Sequence, residues 1–179
     1  IMMNIGEKPI LSTHGVVTSL AWKIGGHVNY VLEGNLNYTG AVITWLKDDL
    51  ELISSAAETE ALANKAVKED GLYLVPAFSG LGAPYWDSDA RAAIVGMSRT
   101  TRKAELVRAA LECIAYQITD VVKAMSEDSK ICIGQLCVDG GPTRNAYLMQ
   151  FQSDLLTADV MVPNAEELSA IGPAYAAGL

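Results

Sequence analysis

The run Asp139-Gly140-Gly141-Pro142-Thr143-Arg144-Asn145 lies between an apolar stretch, Ile131 to Cys137, and the helically spaced Leu148, Met149, Phe151, Leu155 and Leu156. It reads as a strand, a turn of adjacent glycines and a helix. Paired glycines leave no side chain between main-chain N–H groups and an incoming ligand. The first amides of the following helix are expected to be unpaired and positively polarised. Such a turn can hold a phosphate or a ribose. Gly-Gly also makes ordinary strand-to-helix turns, so both readings stand at this point. Asp139, at the strand end, is either an acid/base group or an N-cap-like acceptor that orients the loop, and the pattern favours the second.

The other groups with chemical potential have less support. Asp48, Asp49, Glu51, Asp87, Asp89 and Asp154 read mostly as surface charge. His14 and His27 are isolated, and a metal site needs three or four converging ligands, so no metal is assigned to protein ligands. The spacing G-x-G-x-x-G is absent, as is a Walker A sequence, and no acidic residue closes a strand about 20 residues past the diglycine. Trp22, Trp45, Trp86, Tyr116 and Tyr147 are assigned to core or loop packing. Cys113, Cys132 and Cys137 form no C-x-x-C and are predicted to be buried, reduced thiols.

The elements that must position the turn follow from periodicity. Val16 to Ile24 and His27 to Glu33, linked by Gly25-Gly26, predict an antiparallel hairpin. Tyr38 to Leu50 and Ser54 to Lys68 predict helices, and Leu72 to Phe78 a short strand before a Gly/Pro-rich loop, Ser79 to Asp87. In Glu105 to Met125, residues Val107, Ala110, Leu111, Ile114, Ile118, Val121, Val122 and Met125 form one helical face. Arg108 and Glu112, four apart on that helix, face each other or solvent. Then come strand 135–139, helix 145–156, strand 159–163 and a final helix from about Glu166. A strand-rich opening followed by alternating helix and strand predicts an α/β fold with a mixed sheet. The diglycine falls at the carboxyl end of a strand, where such sheets bind nucleotides.

A chain of 179 residues, 50% hydrophobic, suffices for one domain with a sizeable core. Its formal net charge of −8 gives no electrostatic footing for nucleic acid or an anionic membrane surface. No apolar run approaches the roughly 18 residues of a membrane span, and the expected compartment is the cytoplasm. The chain starts at Ile1 inside a strand-like run and stops at Leu179 inside a helical pattern, which predicts a piece of a larger protein.

Further motifs resemble those of a known family. Ala92-Ala93-Ile94-Val95-Gly96-Met97, followed after seven residues by Glu105-Leu106-Val107-Arg108-Ala109-Ala110-Leu111-Glu112, is similar to the second signature of the FGGY sugar and polyol kinases. The resemblance extends over nearly the whole chain. Pro76 to Trp86 and Leu148 to Asp154 resemble members that phosphorylate glycerol more closely than those acting on pentuloses. The resemblance implies an actin-like ATPase (ribonuclease H-like) fold. Residues 1–179 then form a single C-terminal, nucleotide-side domain, a mixed sheet with flanking helices, without the N-terminal substrate domain.

The resemblance implies further that ATP, carrying Mg²⁺ held mainly by the nucleotide and by upstream residues, is bound by Gly40, Thr44, Gly141, Pro142 and Asn145. Gly40 lets backbone approach the nucleotide, Gly141 offers an amide near phosphate or ribose, and Asn145 pairs with adenine through its amide. Thr44 stands where the family members acting on glycerol have Gln, and Pro142, without an N–H, where they have Ala. The catalytic Asp is expected upstream, so no catalytic residue lies in this chain and the isolated stretch is expected to be inactive. In the full-length form the implied activity is ATP-dependent phosphorylation of glycerol to glycerol 3-phosphate by a homo-oligomer, with no nucleic acid or membrane partner. The alternatives are a kinase of another polyol or a pentulose such as xylulose, and a non-catalytic actin-like binding module.

Overall fold

The computed structural model describes residues 1–67, 71–164 and 168–178. Strands β1 (Met2–Gly6), β2 (Val17–Ile24) and β3 (His27–Glu33) form an antiparallel sheet in the order β1-β3-β2. Gly25 and Gly26 close the β2–β3 hairpin, both at positive φ, as a tight two-residue turn between right-twisted strands requires. Helix α1 (Gly40–Thr44) runs into a π-helical turn, Trp45–Asp49, so the helix predicted over Tyr38 to Leu50 forms with its second half unwound by one residue per turn. Helix α2 (Glu58–Lys65) follows, shorter than its predicted span, whose end at Lys68 lies outside the described residues.

Strand β4 (Tyr73–Val75) pairs antiparallel with β5 (Ala93–Val95). Strand β5, a three-residue element exposed along its length, is not among the strands expected from periodicity. Helix α3 (Lys103–Ser129) is the longest element. Strand β6 (Gln135–Cys137), helix α4 (Ala146–Leu156) and strand β7 (Asp159–Met161) make a parallel crossover unit, and α5 (Leu168–Ala177) follows. The predicted start of that last helix near Glu166 falls outside the described residues. Parallel and antiparallel pairing thus both occur, but among the described residues they divide into three separate sheets.

Two apolar clusters hold these elements, and α3 runs through both. Its first half buries Val107, Leu111 and Ile114 against Val42 and Leu46 of the α1 segment, Ala63 of α2, Leu74 of β4 and Leu148 of α4. Its second half buries Val121 and Met125 against Met3, Val16 and Leu32 of the three-stranded sheet. Each fully buried aliphatic side chain contributes about 1.5–3 kcal/mol. The approach is close: a Cβ on Gly34, just after β3, would stand 2.3 Å from Val121 Cγ1.

Polar clamps supplement this packing. Glu105 Oε1 accepts from the Val67 amide at 3.1 Å and its Oε2 accepts from Arg102 N–H at 2.9 Å, and chiefly the first of these holds the Glu105 carboxyl low. Arg108 donates to the Val67 carbonyl and pairs through Nε with Glu112 Oε1 at 3.4 Å. The pair faces inward, not to solvent, and Tyr147 of α4 donates to the same Glu112 oxygen at 2.6 Å. Of the cysteines, Cys113 is buried, and burial pushes its thiol up to about 12. Cys132 and Cys137 are exposed, contrary to expectation, because they lie in or before the two-stranded β6–β7 ladder, both of whose end positions face outward. All three are free thiols. No helix among the described residues is long and apolar enough to cross a membrane.

His14 is a hydrogen-bonded residue in a knot around Asp128, near the end of α3. Asp128 accepts from Ser12 Oγ, from the Thr13 amide at 3.0 Å and hydroxyl at 3.1 Å, and contacts His14 Nδ1 at 2.7 Å. Burial alone would raise its pKa, but these donors outweigh burial and hold the carboxyl far below the usual range. A depressed carboxylate contributes stability above its unfolded pKa of about 3.9 and loses it as pH falls toward the folded value. Denaturant titrations are therefore expected to show stability falling below about pH 4, with Asp128→Asn less stable at pH 7 and lacking part of that acid slope. Equal slopes in the two proteins would contradict this.

Candidate functional site

The five residues singled out from the sequence as nucleotide ligands lie in two segments about a hundred positions apart, and the structure brings all five to the wall of one cavity of about 800 Å³. Gly40 and Thr44 come from α1, and Gly141, Pro142 and Asn145 from the turn after β6. The floor is apolar, formed by Ile43, Leu111, Ile114 and Leu148, and the rim is polar. A concave, mostly apolar cavity of this size with a few fixed polar groups is the usual form of a small-molecule site.

Each segment has a local reason for its shape. Gly140 has φ of 96°, a backbone conformation that L side chains rarely adopt, and it lets the chain leave β6 and enter a 3₁₀ turn, Gly141–Arg144. Asp139 acts as the loop-orienting acceptor: its Oδ1 accepts from the Gly140 amide at 2.7 Å and its Oδ2 from the Leu168 amide at 3.2 Å. Pro142 sits in the first turn of the 3₁₀ segment, where a missing N–H costs the helix nothing. A Cβ built on Gly40 or Gly141 meets nothing within 4 Å, so both positions border open space that a ligand can fill.

One expectation is corrected. Two of the first three amides of α4, those of Ala146 and Leu148, are already taken. Asn145 caps the helix, its Oδ1 accepting from Leu148 N–H at 2.9 Å, and Glu60 of α2 accepts from Ala146 N–H at 2.8 Å. A carboxylate already occupies the position where a helix N-terminus would favour phosphate. The Asn145 amide is also partly committed on its donor side, since Nδ2 donates to Thr59 Oγ1 at 2.9 Å, and Thr59 Oγ1 donates in turn to Ala56 O at 2.6 Å. One N–H of Asn145 and one lone pair of its Oδ1 remain. Thr44 turns its hydroxyl back toward Gly40 O at 3.4 Å, as a helical Thr readily does.

Sequence reasoning missed the α2 wall: Thr59, Glu60 and Asn64 line the cavity, as do Lys47, Asp48 and Arg144. Lys47 Nζ pairs with Asp48 Oδ1 at 2.8 Å. Arg144 stood in the quoted motif, and Lys47 and Asp48 follow Thr44 by one helical turn, so spacing could have found these three. Nothing local in Glu58–Lys65 signals a site. Among the described residues no cluster of three or more His, Cys, Asp or Glu is arranged to hold a metal ion.

Known proteins resemble this chain along its whole length. The family model described as the FGGY family of carbohydrate kinases, C-terminal domain, matches residues 1–179. The chain is 54% identical over 179 residues to a glycerol kinase of Burkholderia multivorans, covering all of this chain and 36% of that protein. It superposes on the crystal structure of Plasmodium falciparum glycerol kinase with ADP at a TM-score of 0.92 and 38% identity, over 99% of this chain and 35% of that one. It also superposes on a ligand-bound xylulose kinase from Lactobacillus acidophilus at a TM-score of 0.83, covering 98% of this chain and 35% of that one. At 19% identity that likeness concerns the fold alone. The chain spans about a third of the length of these relatives.

The cap at Asn145 has a measurable consequence. Asn145→Ala removes the α4 cap and the bond to Thr59, and is expected to cost about 1 kcal/mol in urea denaturation. Asn145→Ser, which retains a capping oxygen, is expected to lose less, and an unchanged midpoint for the alanine variant would contradict the geometry.

Proposed function

This chain belongs to the FGGY family of carbohydrate kinases, matching the family's C-terminal domain along its whole length, and from that premise we propose that it forms the ATP-binding side of a kinase that phosphorylates glycerol. The observation that carries the proposal is the convergence of Gly40, Thr44, Gly141, Pro142 and Asn145 on one cavity. The likeness to glycerol kinases from a bacterium and from Plasmodium supports glycerol as acceptor.

In this reading the apolar floor of Ile43, Leu111, Ile114 and Leu148 takes the flat adenine. Gly40 and Gly141, bare of side chains, admit the sugar and phosphates. The exposed Gly141 N–H donates to no described residue and is available to the nucleotide. Phosphoryl transfer depends on positioning and charge neutralisation; Mg²⁺ carried by the nucleotide would supply charge neutralisation, and a carboxylate of the preceding domain would accept the hydroxyl proton. This chain's part is to bind and orient ATP. The acceptor site and the catalytic Asp belong to a preceding substrate domain, the kinase works in the cytoplasm, and the full-length protein is a homo-oligomer.

The full-length protein is expected to release ADP in a glycerol-dependent manner and to prefer glycerol to xylulose. Gly40→Ala adds a Cβ that meets nothing within 4 Å in the free protein. It is expected to raise KM for ATP about tenfold, equivalent to about 1.4 kcal/mol, with little change in Tm. An unchanged KM for ATP would remove Gly40 from the nucleotide site, and equal activity on xylulose would remove the substrate assignment.

A further inference from the structure

Glu60 occupies a place in the cavity that neither its capping role nor the five expected ligands account for. It projects from α2 into the wall beside Asn145, and one of its oxygens, Oε2, is fixed by the Ala146 N–H at 2.8 Å. No described residue donates to the other oxygen, Oε1. Its own carbonyl is tied by Asn64 Nδ2 at 3.0 Å, so the α2 turn beneath it is held as well. The result is a carboxylate locked in orientation by a backbone amide, with acceptor capacity left over, at the edge of a cavity whose floor is apolar.

From this we propose that Glu60 reads the ribose hydroxyls of the nucleotide. The inference rests on the reading of the cavity as an ATP site. Phosphate oxygens are excluded as its partner because like charges repel and because Glu60 already fills the anion position at the α4 N-terminus. The adenine faces find their complement in Ile43, Leu111, Ile114 and Leu148. Two parts of a nucleotide present donors to a carboxylate, the adenine 6-amino group and the 2′,3′-diol; Asn145, with a lone pair of Oδ1 to spare, takes the first in the proposed reading, which leaves Glu60 the diol, and a carboxylate accepting from ribose hydroxyls is a recurrent solution in nucleotide sites. Preorganisation by Ala146 N–H means that little side-chain entropy is lost when the hydroxyls arrive. The same bond ties ribose recognition to the cap of α4, so Glu60 joins α2 and α4 while it selects for a ribonucleotide.

The test compares ATP with 2′,3′-dideoxy-ATP by equilibrium titration of the full-length protein and its Glu60→Gln variant. The variant keeps an oxygen for Ala146 N–H and removes the charge. Wild-type protein is expected to bind ATP about tenfold more tightly than the dideoxy analogue, as a charge-assisted hydrogen bond implies, and the variant to lose most of that preference while binding the dideoxy analogue as before. The same preference in both proteins would overturn the assignment. A variant that instead loses discrimination between ATP and inosine triphosphate, with its dideoxy preference intact, would assign Glu60 to the base and also overturn it. Failure of wild-type protein to bind either nucleotide would refute the ATP site itself, a result distinct from the other two.

Discussion

The packing of α3 through both apolar clusters is the interaction on which the rest of the structure depends. Its 27 residues extend about 40 Å. One face carries Val107, Leu111 and Ile114 into the cluster below the cavity and Val121 and Met125 into the cluster below the three-stranded sheet. The elements that wall the cavity are separate in sequence and reach one another through this helix. The polar groups along α3 refine the docking: Glu105 and Arg108 grip the two polar atoms of Val67, Glu112 meets Tyr147 of α4, and Asp128 ties down residues 12–14.

On that scaffold the site is closed by contacts between α2 and the turn before α4. Thr59 with Asn145 and Glu60 with Ala146 join segments 86 positions apart. The polar groups that line the cavity are therefore also those that fix its width. This dual use explains why the α4 N-terminus is not the open anion site that a diglycine turn suggests. Two of its amides, those of Ala146 and Leu148, are committed to Glu60 and Asn145, and the Gly141 N–H, earlier in the turn, donates to no described residue.

Most of the elements and the diglycine half of the candidate site were legible because each has a local cause, whereas Gly40 and Thr44 came only from the resemblance to the kinase family. The Gly25-Gly26 hairpin, the α3 face and the Asp139–Asn145 turn are written in periodicity and in glycine placement. Tertiary contact decided what was not legible. Strand β5 exists as the partner of β4 and has no alternation of its own across Ala93–Val95. The π-helical turn at Trp45–Asp49 has no propensity signature. Exposure of Cys132 and Cys137 depends on how few strands flank them, and Glu60 enters the site through an 86-residue separation that no local spacing encodes.

In the proposed function the α1 segment and the diglycine turn before α4 form one nucleotide site. A crystal structure of the full-length protein with a non-hydrolysable ATP analogue tests it most directly. Density for adenosine is expected between Thr44 and Asn145 over the floor of Ile43, Leu111, Ile114 and Leu148, with the ribose hydroxyls within hydrogen-bond reach of Glu60. Nucleotide density elsewhere, with this cavity filled by solvent, would contradict it.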